Sequence, residues 1–243
     1  MSTSHESSGP RLFVDRPLGP GAAFDLPGPQ AHYLAGVMRL KVGDPLRLFD
    51  GVSGEWAARV TDAGRRTVSV AVERQLSPRE RVPDLWLLAA PIKRGRIDWV
   101  AEKACELGVA RLGFVLTRRT IVDKLNLDRL RAHLIEAAEQ CGRTALPELA
   151  DAVPLAKLLD GWPEGRRLIF CDEDGGEPLA DVVKPAPAAI LIGPEGGFDP
   201  QERERLRAHP AAVRVSLGPR ILRADTAAVA AIALWQAAVG DWA

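Results

Sequence analysis

The sequence predicts an α/β protein in two parts, a small β-rich unit followed by a larger unit built on a mostly parallel sheet. Three observations carry this reading. The first 75 or so residues contain short stretches that alternate apolar and polar positions, the period of half-buried strands. Beyond residue 84 the strands become short and continuously apolar and alternate with helix-length stretches, the pattern of a parallel sheet covered on both faces. Between the two lies "SPRERVPD" (77–84), charged, with two prolines and no apolar period, which reads as a linker.

Taken in order, residues 1–9 are polar and are expected to form a disordered tail, followed by the β-rich unit over 10–76 and, after the linker, the α/β unit over 85–243. In the first unit "RLFV" (11–14), "PLRLFDG" (45–51) and most of 55–76 read as strands, with Asp62-Ala63-Gly64 as a hairpin turn and one short helix near 29–40; together they predict a small β-barrel. In the second, "LWLLAAP" (85–91) is a buried strand, 96–107 a helix stopped by Gly108, and 109–117 another strand. A longer helix runs from Asn126 to Cys141, and "RLIFC" (167–171), "AAILIG" (188–193) and "VRVSL" (213–217) are further strands. Trp56, Trp86 and Trp99 fall on apolar faces and are expected in the core, while Lys103 and Glu106 are placed to form a surface ion pair.

The 243 residues are 47% hydrophobic, enough for a sizeable core, and basic and acidic side chains balance at 32 each. Residues 1–143 nevertheless carry a local charge of +5 and the remainder −5, so a polyanionic partner is expected on the first part; a random scatter of solvated charges accounts for the counts equally well. Cys105, Cys141 and Cys171 form no CxxC pair, which argues against a disulfide framework or a zinc site. The longest uncharged apolar run, 227–239, is too short to span a bilayer, and no signal-peptide core is present, so a cytoplasmic chain is expected.

Two loops point to chemistry. In "LIGPEGGFDPQERERL" (191–206), Gly193, Gly196 and Gly197 permit positive φ and a close ligand approach. Asp199, Pro200 and Glu202 then spell the start of a helix with a capping box. The loop lacks the lysine of a Walker A motif and the GxGxxG dinucleotide fingerprint, and Glu195 would repel a polyphosphate. A cationic or neutral adenosine compound fits better; glycines that only turn the chain are the alternative. The second loop, "SLGPRILRADTAA" (216–228), again follows a strand and holds Ile221 and Leu222, apolar side chains suited to cover a nucleobase. Asp225 or Thr226 is expected to cap the terminal helix, whose nearly uncharged outer face is buried either in the core or at a subunit interface.

These loops, with "IKRGRIDWVAEKACELGV" (92–109), "AAEQCGR" (137–143) and "HYLAGVMRLKVGDPLRLFDG" (32–51), resemble the RsmE family of SPOUT-class methyltransferases, which modify N3 of a uridine in small-subunit rRNA. The resemblance runs through nearly the whole chain. It departs at Asp225, where the family usually has glutamate. It implies a PUA-like RNA-binding β-barrel, a trefoil-knotted SPOUT domain with a mostly parallel sheet, S-adenosylmethionine (SAM) as cofactor with no metal, and a homodimer acting on 16S rRNA, in the assembled 30S subunit. By the same resemblance, Leu191, Ile192, Gly193, Pro194, Glu195, Gly196, Gly197, Leu217, Gly218, Ile221 and Leu222 form the SAM pocket, with Thr226 at its floor. Arg119, Arg143 and Arg223 are candidates to stabilise a uracil anion, Glu195, Glu139 and Asp225 to accept its proton, and Arg39, Lys93, Arg96 and Arg119 to meet RNA. A tRNA ribose methyltransferase of the same class would share the knot but not "AAEQCGR" with "LRADTA". A non-catalytic RNA-binding protein conflicts with the intact glycine loops, and an oxidoreductase lacks its fingerprint.

Overall fold

A computed structural model describes residues 9–64, 66–122 and 124–243, so eight of the nine residues of the expected tail lie outside the described residues. The chain divides into two compact units. One takes the chain up to Arg81 together with Ala138–Ala145, the other Val82–Ala137 and Leu146–Ala243.

The first unit holds β1 (Arg11–Phe13), β2 (Ala23–Leu26), α1 (Gly28–Ala31) running into a π-helical turn (His32–Val37), β3 (Pro45–Phe49), β4 (Glu55–Ala63) and β5 (Val68–Ser77). They form one mixed sheet in the order β1-β3-β4-β5-β2, parallel only between β1 and β3. Alternation does what the sequence predicts: Val68, Val70 and Val72 point inward with Leu46 and Leu48, while Ser69 and Ala71 face the other way. Leu34 and Ala31 from the helical turn close the same core. β2 escapes sequence reading because only Leu26 of its four residues is buried.

This unit also contains the end of the long helix. Arg11 is buried and its guanidinium donates to the carbonyls of Gly142 (3.2 Å) and Arg143 (2.6 Å), which a helix C-terminus leaves without intrahelical partners. Glu80 accepts from the N–H groups of Thr144 (2.9 Å) and Ala145 (2.8 Å). The turn carrying Arg143 is therefore held from two sides.

The second unit is a parallel sheet of seven strands: β6 (Leu85–Ala89), β7 (Arg111–Leu116), β8 (Glu148–Pro154), β9 (Arg167–Cys171), β10 (Glu177–Pro178), β11 (Ala188–Ile192) and β12 (Ala212–Ser216). Their order is β10-β12-β9-β11-β6-β7-β8. The helices are α2 (Arg94–Glu106), α3 (Leu127–Cys141, ending in the first unit), α4 (Leu155–Asp160), α5 (Leu179–Val182), α6 (Pro200–Ala208) and α7 (Ala224–Val239). Every residue of β11 is buried, as its unbroken apolar run requires of a central parallel strand. β8 was not read as a strand, because an edge strand with no buried residue has no apolar stripe to reveal it.

α2 buries Ile97, Val100, Ala101, Ala104 and Cys105, an i, i+3, i+4 stripe. Trp99 is two residues from Ile97 and so falls on the opposite side. Expected in the core, it is instead 39% exposed; Trp56 is buried and Trp86 half-buried. Gly108 ends the helix with φ +79°, and the side chain of fully buried Gln236 on α7 packs against it, donating to Leu107 O at 2.7 Å. α7 buries Ala228, Ala231, Ile232 and Trp235, yet Leu234 on its other side is 40% exposed, so core packing covers only one face of this helix.

Candidate active site

In a parallel sheet the loops leaving the carboxyl ends of neighbouring strands gather at one edge. Here the chain passes from β11 through α6 to β12, which pairs with β9 on the side away from β11, so the loops after β12, β9 and β11 meet. They enclose a cavity of about 770 Å³, within the size range of small-molecule sites.

The first wall follows β11. Ile192, Gly193, Pro194, Glu195, Gly197 and Phe198 line it, whereas Leu191 is buried within the strand and Gly196 turns outward. Gly197 donates to Pro194 O at 2.8 Å and has φ +68°. A Cβ there would sit 2.2 Å from Glu173 Oε1, and one on Gly193 would sit 2.7 Å from the Phe198 ring, so backbone geometry favours glycine at 197 and the packed ring demands it at 193. α6 then starts with the predicted capping box: Asp199 accepts from Gln201 N (3.0 Å), and Glu202 Oε2 accepts from Asp199 N (3.2 Å). Glu202 Oε1 accepts from Arg118 N at 2.8 Å, and Arg119 Nη1 donates to Gly196 O at 2.7 Å. The loop after β7 is thus tied to the first wall.

The second wall follows β12 and includes Leu217, Gly218, Arg220, Ile221, Leu222 and Arg223. Gly218 has φ +104°, and Ile221 is 86% exposed, an apolar side chain left at the rim. The expected cap is corrected here. Arg223 occupies the N-cap position of α7 with no side-chain cap, and Asp225 sits in the first turn, accepting from Thr226 N (2.8 Å) and Arg96 Nη1 (3.0 Å). Thr226, expected at the pocket floor, is exposed, and Ala224 and Ala227 line the cavity in its place.

Sequence reasoning missed the third wall, Cys171–Gly175 after β9. Its signal was a buried strand followed at once by "CDEDGG", the same strand-to-glycine pattern that marked the other two loops. The Asp172 side chain is fully buried and meets Arg203, Arg207 and Arg214, with Arg207 Nη2 at 2.7 Å and Arg214 Nε at 2.8 Å. Burial pushes its carboxyl up, but the Arg207 hydrogen bond, the Asp174 N–H and the charges of Arg203 and Arg207 outweigh that and hold it below the usual carboxylate range. Burial alone pushes the Cys171 thiol up to about 12, making it a neutral surface rather than a nucleophile.

Of the remaining candidates, Arg143 lies in the first unit, is 6% exposed and pairs with Glu80 at 3.4 Å in the turn at the end of α3. Glu139 accepts from Phe13 N at 2.9 Å. Lys93 is exposed at the N-cap of α2, and Arg39 is exposed in the first unit with φ +56°, a conformation that costs a non-glycine residue energy. Lys103 and Glu106 form the expected ion pair at 2.6 Å. Backbone walls, apolar side chains and the carboxylates of Glu173, Asp174 and Glu195 fit a nucleoside that carries positive charge better than a polyphosphate.

Residues 78–236 match the family described as the RNA methyltransferase domain, and 26–73 match the RNA methyltransferase PUA domain. The chain is 31% identical over 229 residues to Ribosomal RNA small subunit methyltransferase E of Rickettsia conorii, covering 92% of this chain and 93% of that one. It is 29% identical over 250 residues to the protein of the same name from Mycobacterium bovis, covering 95% of each. Its fold is similar to the crystal structure of a Ribosomal RNA small subunit methyltransferase E from Neisseria gonorrhoeae bound to S-adenosyl methionine, with a TM-score of 0.88 at 29% identity over 97% of this chain and 100% of that one.

Proposed function

The chain belongs to the ribosomal RNA small subunit methyltransferase E family, and from that membership we propose that it methylates N3 of one uridine in 16S rRNA, acting as a homodimer on the assembled 30S subunit. It is an S-adenosylmethionine-dependent rRNA methyltransferase. The single observation that carries the reading is the three-walled cavity, where Gly193 is packed against the Phe198 ring and whose lining suits a cationic nucleoside. In this reading residues 10–76 hold RNA and 85–243, joined through 77–84, carry the reaction and the trefoil knot implied by the resemblance.

SAM would be held by the main chain of the first wall, by Leu217, Ile221 and Leu222, and by the third wall; when bound it supplies a methyl group on a positively charged sulfur. The chain's own task is the acceptor, because uracil N3 carries a proton that must leave before its lone pair can attack. Of the three candidate carboxylates, Glu139 is bonded to Phe13 N and Asp225 to Arg96, whereas Glu195 lines the cavity, exposed and without a hydrogen-bond or ion-pair partner among the described residues. Glu195 accepts the N3 proton, and Arg223 on the second wall, with Arg119 anchored on Gly196 O, stabilises the negative charge left on the ring oxygens. Lys93 and Arg39 meet phosphates. The apolar side of α7 around Leu234 supports the homodimer, since an exposed leucine between exposed alanines 237 and 238 and the core face is suited to a second copy.

The test is transfer of labelled methyl from SAM to small subunits, or to naked 16S rRNA, from cells lacking the enzyme, followed by digestion to nucleosides. N3-methyluridine formed on assembled subunits is expected. Another methylated nucleoside would remove the proposed target, and SAM binding without transfer would favour a non-catalytic role.

A further inference from the structure

Glu173 is placed differently from the other acids of the third wall. Its carboxylate lies against the main chain of Gly197, close enough that a Cβ there would fall 2.2 Å from Oε1, 2.9 Å from Cδ and 3.1 Å from Oε2. It thus reaches from the third wall to the first and lines the cavity while its side chain stays 40% exposed. Its two oxygens are not equivalent. Oε1 accepts from Arg203 Nη2 at 2.7 Å, whereas Oε2 accepts no hydrogen bond among the described residues. Arg203 is itself fixed, pairing with Asp172 and Asp174 from the fourth residue of α6, directly after the capping box that pins the first wall. One oxygen is therefore anchored to a rigid helix, and the other is a charged acceptor with unused capacity at the cavity surface.

We propose that Glu173 is a specificity-determining residue of this cavity, its free Oε2 accepting hydrogen bonds from the vicinal hydroxyls of a bound nucleoside. The inference rests on the cofactor assignment made above. A carboxylate at the carboxyl end of a parallel strand is a suitable partner for a ribose diol, because two neighbouring O–H donors match a charged acceptor that has no donor of its own. Arg203 acts as a positioning residue: it occupies Oε1 and so fixes which oxygen remains for the ligand. Gly197 belongs to the same device, since any side chain there would displace the carboxylate.

The test is calorimetric binding of S-adenosylhomocysteine and its 2′-deoxy and 3′-deoxy forms to the full chain and to Glu173→Gln. The native chain is expected to bind at least one deoxy form about 10- to 100-fold more weakly than the parent, the range of a hydrogen bond to a charged group. Glu173→Gln should lose a similar factor for the parent and discriminate little among the three. Arg203→Lys, which keeps a donor but not the fork, should lie between them. Native discrimination that persists unchanged in Glu173→Gln would overturn the proposal, as would equal native affinity for all three ligands, a result that needs no folded variant. Failure of the native chain to bind either SAM or S-adenosylhomocysteine would overturn the cofactor assignment as well, whereas tight binding without discrimination overturns only the role of Glu173.

Discussion

Arg96 Nη1 on α2 lies 3.0 Å from Asp225 Oδ2 in the first turn of α7, and both side chains are half-buried. Arg96, expected to meet RNA phosphate, holds the start of α7 through this pair, just behind the second wall. Arg96→Ala and Asp225→Asn should each lower unfolding stability by about 1 kcal/mol, and the double variant by little more than either. Arg96→Ala should leave the salt dependence of RNA binding unchanged, whereas Lys93→Ala should reduce that slope by about 1. A reduced slope for Arg96→Ala would return this residue to the RNA surface. Asp225→Glu should keep the pair, with a change within about 0.5 kcal/mol.

Two glycines of positive φ separate backbone strain from contact. Gly218 has open space where a Cβ would lie, so Gly218→Ala should cost only the strain of φ +104°, about 1–3 kcal/mol. Gly197→Ala adds to the strain of φ +68° a displacement of the Glu173 carboxylate and should weaken SAM binding, with partial recovery in Gly197→Ala/Glu173→Ala. Absence of any recovery would show that strain alone accounts for the loss. Titration of SAM into each variant decides it.

Asp172 sets a pH dependence of known sign. Its folded carboxyl titrates below the ordinary value near 3.8, so it contributes stability above that value, and the contribution is lost as pH falls through the lower, folded one. Asp172→Asn should cost about 2–4 kcal/mol at neutral pH, because three arginines lose a buried partner. The gap between native and variant chains in urea unfolding should be flat from pH 7 to about 5 and narrow below about 4. A gap that stayed constant into acid would show that the loss is one of packing.

Thiol labelling checks the third wall independently. Cys141 is exposed, Cys105 is fully buried, and the Cys171 thiol is pushed up to about 12 by burial. One fast thiol is expected per chain at pH 8, located at Cys141 by mass spectrometry. Rapid labelling of Cys171 would mean that the third wall opens in solution.

How much was legible follows the range of the interactions. The capping box of α6 was readable because Asp199, Pro200 and Glu202 act within one turn, and β11 because a strand buried on both faces spells itself in apolar letters. The glycine loops were readable as loops. Why Gly197 must be glycine was not, since Glu173 lies 24 positions earlier in the chain. "CDEDGG" gains its meaning only when Arg203, Arg207 and Arg214 arrive from 29 to 42 residues away. The setting of Arg143 was illegible for the same reason: nothing near it in sequence says that Arg11 and Glu80 close around its turn.

Glu195 offers the sharpest test of the chemistry, because a general base and a mere wall residue respond differently to the acidity of the acceptor. Glu195→Gln keeps size and hydrogen-bonding capacity but cannot take a proton, so the methylation rate at saturating SAM should fall about 10²–10⁴-fold, well beyond any loss of SAM affinity from the missing charge. Electron withdrawal by fluorine makes N3–H of 5-fluorouracil more acidic and leaves the base less to do. Small subunits carrying 5-fluorouridine should therefore recover a large part of the loss in Glu195→Gln and gain little with the native enzyme. A parallel set with Arg223→Gln should also be rescued in part, because the fluorine stabilises the same ring anion that Arg223 does. Equal losses for Glu195→Gln on both substrates would remove Glu195 as the base and leave it a wall of the cofactor cavity.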